Sequence, residues 1–337
     1  MEKSIPFENS IAPAGAVTSR ENMLRLFRGE TPAWLDWDVN QILPRIVPDN
    51  VARGIVRDAL PFDADTQAGG PDWLGIRWIY EPQNRGSFVA PGSPRVTDIL
   101  CWEERVSLPD LDAPDWAASA AENAPLRDPA RLTGTTIFTG FFERLISLMD
   151  FENAAIALVD EEEQEGVHRL FEALADFYDR LIGKFKEYYD IDVLEFHDDW
   201  GTQRAPLFSR AVCEEMLLPY LTRVVESCHR RGILFRMHSC GFIEPLVPVL
   251  IAAGADCWGG QPLNDKWKLY EQYGDRMRFT VTYESMEGVT DEARLAAFAD
   301  AELARLIPGR NIFLQARNRR LRELLIEKSR AYFAGQA

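Results

Sequence analysis

From about Thr133 to its end the chain alternates strand-like and helix-like segments, and this alternation limits the fold more than any other feature. Thr135-Thr136-Ile137-Phe138 reads as a strand. Glu161 to Tyr189 reads as a long amphipathic helix, with Val167, Leu170, Phe171, Leu174, Phe177, Leu181 and Phe185 on one face. Its acidic start (Asp160 to Glu163) and basic end (Lys184, Lys186) suit the helix dipole. Then follow strand Val193–His197, a helix from Arg210 to Arg231 bent at Pro219, strand Ile233–His238, a helix to Ala253, and strand Ala255–Trp258. Strand Met277–Glu284, helix Asp291–Ile307, strand Asn311–Gln315 and helix Leu321–Ala334 complete the series.

Repeated strand–helix units predict a parallel sheet covered by helices. Adding Trp34-Leu35-Asp36-Trp37-Asp38 as a first strand gives seven candidates, next to the eight of a (β/α)8 barrel. A chain of 337 residues suits one such α/β barrel, and no linker splits it, so residues 1–337 are read as a single domain. The expected additions are an N-terminal arm over 1–32 and a hairpin excursion over 73–91. The arm is loose to residue 18, then helical from a Ser19 cap to Arg28. The hairpin pairs Gly75–Tyr80 with Ser87–Val89 around Pro82, Asn84 and Gly86. Residues 106–130, rich in Pro, Asp and Ala, read as a surface excursion.

Composition removes several function classes. The formal net charge of −16 repels nucleic acid and anionic membrane. A small-molecule substrate is the expectation, and the number of subunits is left open. The five cysteines, an odd count in a long chain, do not suggest a disulfide framework. Met1 to Pro6 lacks an apolar signal region, and no apolar run approaches ~20 residues, so a cytoplasmic protein is expected. No phosphate loop, dinucleotide glycine fingerprint, HExxH or Gly-x-Ser-x-Gly is present.

If these are barrel strands, their carboxyl ends share a rim, where such folds place their chemistry. Phe235-Arg236-Met237-His238-Ser239-Cys240-Gly241 puts an imidazole and a thiol at i, i+2, on one face of a strand end. That soft pair suits a thiophilic metal such as zinc; equally, each side chain can serve local packing. Glu195-Phe196-His197-Asp198-Asp199-Trp200-Gly201-Thr202-Gln203 places His197 and two adjacent carboxylates at the preceding strand end. Mutual repulsion raises at least one carboxylate pKa, as a general acid or base requires. His197, Asp198 and Asp199 are therefore candidate catalytic groups, and a solvated acidic turn is the competing reading. Trp37, Asn40, Trp200, Gln203, Gln261 and Tyr283 are the candidate substrate contacts. Cys257-Trp258-Gly259-Gly260-Gln261-Pro262 allows close ligand approach or simply a packed turn, and Glu284 offers a further carboxylate.

Several of these segments resemble the uroporphyrinogen decarboxylase superfamily. The likeness runs from the opening helix, Ser19-Arg20-Glu21-Asn22-Met23-Leu24-Arg25-Leu26-Phe27-Arg28-Gly29-Glu30 with Pro32, to about residue 320. It is strongest in Asp198-Asp199-Trp200-Gly201-Thr202-Gln203, Pro219-Tyr220, His229-x-x-Gly232, His238-Ser239-Cys240-Gly241 and Ala253-Gly254-Ala255-Asp256. The resemblance implies a (β/α)8 barrel with its site on the carboxyl-end rim, and either of two chemistries. One branch decarboxylates uroporphyrinogen without a cofactor and carries an arginine-rich N-terminal motif. Here that region reads Ala33-Trp34-Leu35-Asp36-Trp37-Asp38-Val39-Asn40-Gln41, with acids in place of arginines. Acids there would repel a polycarboxylate. The other branch comprises zinc methyltransferases that move a methyl group between a corrinoid protein and a thiol or other acceptor. Its His-x-Cys matches His238 and Cys240, but its late cysteine is missing from Asn311-Ile312-Phe313-Leu314-Gln315-Ala316-Arg317-Asn318. Either Glu284, Glu195 or Cys257 takes its place and completes a zinc site, or no zinc is held. The leading expectation is a methyltransferase-type enzyme, acting with a corrinoid partner in demethylation of a small compound. A metal-free decarboxylase-like lyase and a non-catalytic barrel that binds a corrinoid module are the alternatives.

Overall fold

The structure is a computed structural model and describes Ile11, Gly15, residues 17–83 and residues 86–335. Most of the predicted loose arm and the turn residue Asn84 lie outside the described residues. The chain forms two compact units: Gln41–Arg127 with Thr133–Ala255, and Met1–Asn40 with Asp128–Leu132 and Asp256–Ala337. The first is called the site unit and the other the second unit.

Strand β1 (Val39–Gln41) ends where the site unit begins. A small antiparallel sheet follows: β2 (Gly70–Pro71), β3 (Arg77–Glu81) and β4 (Gly86–Val89). Trp78 stands opposite Val89 and Ile79 opposite Phe88, so the predicted hairpin is present, with a third short strand added. Its anchor is a buried ion triad. Arg144 donates to Asp72 Oδ2 at 2.5 Å and to Asp49 Oδ2 at 2.7 Å. Asp72 also accepts from the Leu74 and Ile76 N–H groups and from Trp78 Nε1.

Three parallel strands form the unit's centre: β5 (Leu132–Ile137), β6 (Val193–His197) and β7 (Leu234–Ser239). The register sets Thr135 beside Leu194, Glu195 beside Arg236, and His197 beside His238. Every residue of β5 is buried, as expected for a strand covered on both faces. Ile42 N–H, just after β1, donates to Gly134 O at 2.8 Å. The covering helices include Phe141–Met149, Gln164–Tyr189 and Leu218–Arg230. Phe141, Phe171, Phe196, Tyr178 and Tyr220 interlock between them with ring centroids 5.4–5.8 Å apart. The helix predicted from Arg210 is broken earlier than Pro219 itself. A π turn over Cys213–Leu217 precedes the Leu218–Arg230 helix, because the proline supplies no N–H to the carbonyl a turn earlier. The 106–130 excursion contains a helix, Trp116–Asn123, with Asp115 as its cap.

In the second unit, β8 (Cys257–Gly260), β9 (Arg278–Thr282) and β10 (Phe313–Gln315) are again parallel. Helices Ser19–Arg28, Glu292–Leu303 and Arg319–Ala334 accompany them. The cap of the first is Thr18, whose Oγ1 accepts the Glu21 N–H, rather than Ser19. The predicted strand Trp34–Asp38 is absent; the strand begins at Val39. Its alternating acids are instead a buried ion network. Asp36 takes two hydrogen bonds from Arg322, at 2.9 and 2.8 Å, and Asp38 pairs with Arg131 at 2.7 Å and Ser19 Oγ at 2.5 Å. Both acids are 1% exposed, so they face arginines and not a ligand. This corrects the expectation that they repel a bound polycarboxylate.

Among the described residues the chain is thus an α/β protein, with parallel strands in each unit and a three-stranded antiparallel sheet in the site unit. No helix among the described residues is long and apolar enough to cross a membrane.

The triad gives a pH test. Burial pushes the Asp49 carboxyl up to about 6, with Arg144 opposing and Asp72 adding to the rise. Its native pKa thus exceeds the ordinary carboxylate value, and the native state holds an extra proton between the two. The stability contributed by Asp49 is fullest below about 4 and is lost as pH climbs through 6. Thermal melts at pH 4.5 and 7.5 should show this slope, worth about 2 kcal/mol over that interval at ~1.4 kcal/mol per pKa unit, flattened in Asp49→Asn. Identical slopes in variant and wild type would contradict it.

Candidate metal centre

All the groups of this site belong to the site unit. The carboxyl ends of β5, β6 and β7 present Phe138 to Gly140, His197 to Asp199, and His238 to Cys240. Because β6 and β7 run in parallel with His197 beside His238, the two imidazoles stack, centroids 4.5 Å apart and planes 13° apart. Each is followed two residues on by a second donor, Asp199 and Cys240. The two turns are locked together: Cys240 N–H donates to Asp199 Oδ1 at 2.6 Å, Trp200 N–H to Ser239 Oγ at 2.9 Å, and Phe242 N–H to Thr202 O at 2.7 Å.

The result is one cluster, His197, Asp199, His238 and Cys240, whose ligand atoms all lie within 4.8 Å of one another. His238 Nε2 is 3.5 Å from Cys240 Sγ, and His197 Nε2 is 3.6 Å from Asp199 Oδ1. Tetrahedral zinc with bonds of about 2.0–2.3 Å keeps its ligand atoms roughly 3.3–3.8 Å apart. Two imidazoles, a thiol and a carboxylate, with two pairs at that spacing and none beyond 4.8 Å, suit zinc in donor chemistry and in size.

Behind the cluster sit two residues that carried no sequence signal. Glu143, in the first turn of the Phe141–Met149 helix, places Oε2 2.7 Å from His197 Nδ1. Its Oε1 takes a hydrogen bond from Arg53 at 2.7 Å. Arg53 also donates to Phe138 O at 2.9 Å, and its guanidinium lies 4.2 Å from the centre of the Trp78 ring. Burial alone would raise the Glu143 carboxyl, but Arg53 and His197 hold it down at about 2. Burial disfavours the charged His197 ring, yet Asp199 and Glu143 raise its pKa well above 6.5. Burial raises the Asp199 carboxyl, with His197 opposing. It also raises the Cys240 thiol, against the pull of its His197 contact.

The other predicted residues fall into several environments. Asp198 is fully buried and accepts from the backbone N–H groups of Phe142 (3.1 Å) and Glu143 (2.8 Å) and from Trp200 Nε1 (2.9 Å). Burial and the Glu143 charge push it up to about 7 against those donors. Its geometry is that of an anchor for the helix N-terminus, with both oxygens engaged. Trp200 is core, and Gln203 is exposed. Glu195 lies one step down β6 from His197 and pairs with Arg236, its neighbour in register. It is outside the four-residue cluster.

The second unit holds the rest. The Cys257 thiol is buried 3.5 Å from Thr280 Oγ1. Glu284 is exposed on a 3-10 turn, and Tyr283 packs edge-on against Phe298 at 5.2 Å. The Gln261 carbonyl accepts from Lys266 Nζ at 2.9 Å. Trp37 packs between Phe27 and Phe313, at 6.0 and 5.1 Å, and Asn40 is half-buried in β1. Thus the predicted metal pair His238/Cys240 and two of the predicted catalytic residues, His197 and Asp199, form a single site.

No family model matches the chain, and no curated protein matches its sequence. Solved structures do. A methyltransferase from Methanosarcina mazei aligns over 94% of this chain and 99% of its own, with a TM-score of 0.64 and 14% identity. That likeness establishes a shared fold, of the TIM-barrel type expected. A sugar phosphate isomerase/epimerase from Parabacteroides distasonis ATCC 8503 aligns over 88% of this chain and 95% of its own, with 7% identity and a TM-score of 0.36. An AP endonuclease of family 2 from Brucella melitensis covers 67% and 85%, with 14% identity and a TM-score of 0.34. Scores of that size carry no argument.

Proposed function

We propose that the chain is a zinc-dependent, methyltransferase-type enzyme of the uroporphyrinogen decarboxylase superfamily, working with a corrinoid methyl carrier. The single observation that carries this reading is the His197–Asp199–His238–Cys240 cluster. Support also comes from the fold shared with a methyltransferase and from the sequence motifs quoted above. The fourfold donor set would make good the missing late cysteine, with His197 and Asp199 in the place for which Glu195, Glu284 or Cys257 was expected.

In this reading His197, His238 and Cys240 would hold the ion through nitrogen and sulfur, and Asp199 through oxygen. Zinc, when bound, lowers the pKa of a coordinated acceptor thiol and keeps its sulfur nucleophilic. Asp199, the half-exposed carboxylate of the cluster, would be the ligand that yields its place to an acceptor thiol and takes the proton that thiol sheds. Asp198 keeps the Phe141–Met149 helix seated, which leaves proton handling to Asp199. A metal-free lyase finds less support, because Asp36 and Asp38 are closed ion pairs and offer no cationic grip on a polycarboxylate.

The test is methyl transfer from methylcob(III)alamin to a set of thiols by zinc-loaded protein, followed by absorbance. The methyl group passes to sulfur, the cobalt keeps the bonding electron pair, and the thiol proton goes by way of Asp199 to solvent. The expected result is loss of the methylcobalamin spectrum with wild type and none with Cys240→Ser. Inertness with every thiol, together with loss of carboxyl groups from uroporphyrinogen, would favour the lyase.

A further inference from the structure

We infer that Glu143, clamped by Arg53, is a positioning residue that fixes the tautomer and aim of His197 as a metal ligand; the inference rests on the zinc reading above.

A histidine binds a metal through one nitrogen only if that nitrogen's lone pair is bare and pointed at the ion. The proton must then sit on the other nitrogen, and the group that accepts it decides which one is used. In His197 the question is settled by contact. Nδ1 lies 2.7 Å from Glu143 Oε2, a carboxylate oxygen that can only accept. The proton therefore belongs on Nδ1, and Nε2 faces the cluster, 3.6 Å from Asp199 Oδ1.

Glu143 is itself held at three points. Its Oε1 accepts from Arg53 Nη2 at 2.7 Å, so both carboxylate oxygens are committed. Its backbone N–H donates to Asp198 Oδ1 at 2.8 Å, which ties the Glu143 main chain to the residue between two of the ligands. Arg53 is in turn fixed by Phe138 O at 2.9 Å and by the Trp78 ring. The side chains of Arg53 and Glu143 are 11% and 10% exposed, so solvent screens their pairing little. Trp78 belongs to β3. The accessory hairpin thereby acquires a role: it holds the arginine that holds the glutamate. A carboxylate behind a histidine also raises that ligand's basicity, and loss of such a partner typically weakens metal binding 10–100-fold.

The test uses full-length protein and zinc alone. Wild type, Glu143→Ala, Glu143→Gln and Arg53→Ala are titrated against a chromophoric chelator, and cobalt(II)-substituted samples are compared by visible absorption. Glu143→Ala should raise the zinc Kd by about 10–100-fold and shift the cobalt ligand-field bands. Glu143→Gln, which keeps an acceptor oxygen for Nδ1, should lose less, and Arg53→Ala should fall between wild type and Glu143→Ala. If Glu143→Ala proves unfolded by circular dichroism, Glu143→Gln carries the comparison, because its size is unchanged. An unaltered Kd and cobalt spectrum in the folded glutamate variants would overturn the positioning role and leave the zinc site standing. Wild type that binds no zinc would overturn the zinc reading, and the inference with it.

Discussion

Gly241→Ala is expected to lose about 3–5 kcal/mol of stability and to dismantle the His197–Asp199–His238–Cys240 cluster with it. Two costs combine there. Gly241 sits at φ +78°, a left-handed conformation that costs an L-residue roughly 1–2 kcal/mol. A Cβ on it would also stand 2.1 Å from Gly201 O and 2.6 Å from Gly201 Cα, well inside van der Waals contact. Neither turn can give way easily. A Cβ on Gly201 would itself meet Phe242 N and O at 2.8 Å, so the two backbones cross with no side chain between them. Overpacking of this kind costs about 1–3 kcal/mol or more. This crossing puts Cys240 N–H onto Asp199 Oδ1, and hence Sγ and the carboxylate into one site.

Gly232→Ala is the matched comparison. Gly232 has φ +68° but no atom within 4 Å of its would-be Cβ, so only the conformational cost applies. Thermal melts should place Gly241→Ala on the order of 10 °C below wild type and clearly below Gly232→Ala. Zinc affinity should fall in the first and hold in the second. Equal melts and equal zinc binding in the two variants would mean that the crossing does not organise the site.

The sequence carries the strand ends well and their meeting poorly. His238 and Cys240 are visible as a pair because spacing by two on a strand is a local property. His197 and Asp199 are visible too, but as an acid–base pair. Their union with His238 and Cys240 depends on β6 and β7 being neighbours in a register that aligns residue 197 with 238, and nothing within either segment states that register. Glu143 and Arg53 are less legible still. Each is a charged residue in a short helix or at its end, and each becomes meaningful only through a contact more than 50 residues away in the chain. The mistaken strand at Trp34–Asp38 has a physical source as well. Alternating apolar and acidic residues imitate a half-buried strand, but Asp36 and Asp38 are buried against Arg322 and Arg131, partners that lie far along the sequence. The long Gln164–Tyr189 helix, by contrast, follows directly from its apolar periodicity, which is local.

The second large effect concerns the ligand set. A zinc ion held by four side chains loses a full bond when one is removed, and an alanine leaves no substitute donor. The losses should therefore exceed the 10–100-fold typical of a supporting residue. His238→Ala and Cys240→Ala should behave this way under any reading that places zinc on the His-x-Cys pair. His197→Ala and Asp199→Ala discriminate, because only the cluster described here makes them ligands. The carboxylate's loss should be the smallest of the four, since water can replace an oxygen donor more readily than an imidazole or a thiolate.

The most direct measurement is zinc content by elemental analysis after reconstitution and gel filtration, for wild type and for His197→Ala. Roughly one zinc per chain in wild type, with near-background zinc in a folded His197→Ala variant, is the predicted result. Wild type without zinc, or His197→Ala that retains zinc at the wild-type level, would contradict the four-residue metal centre.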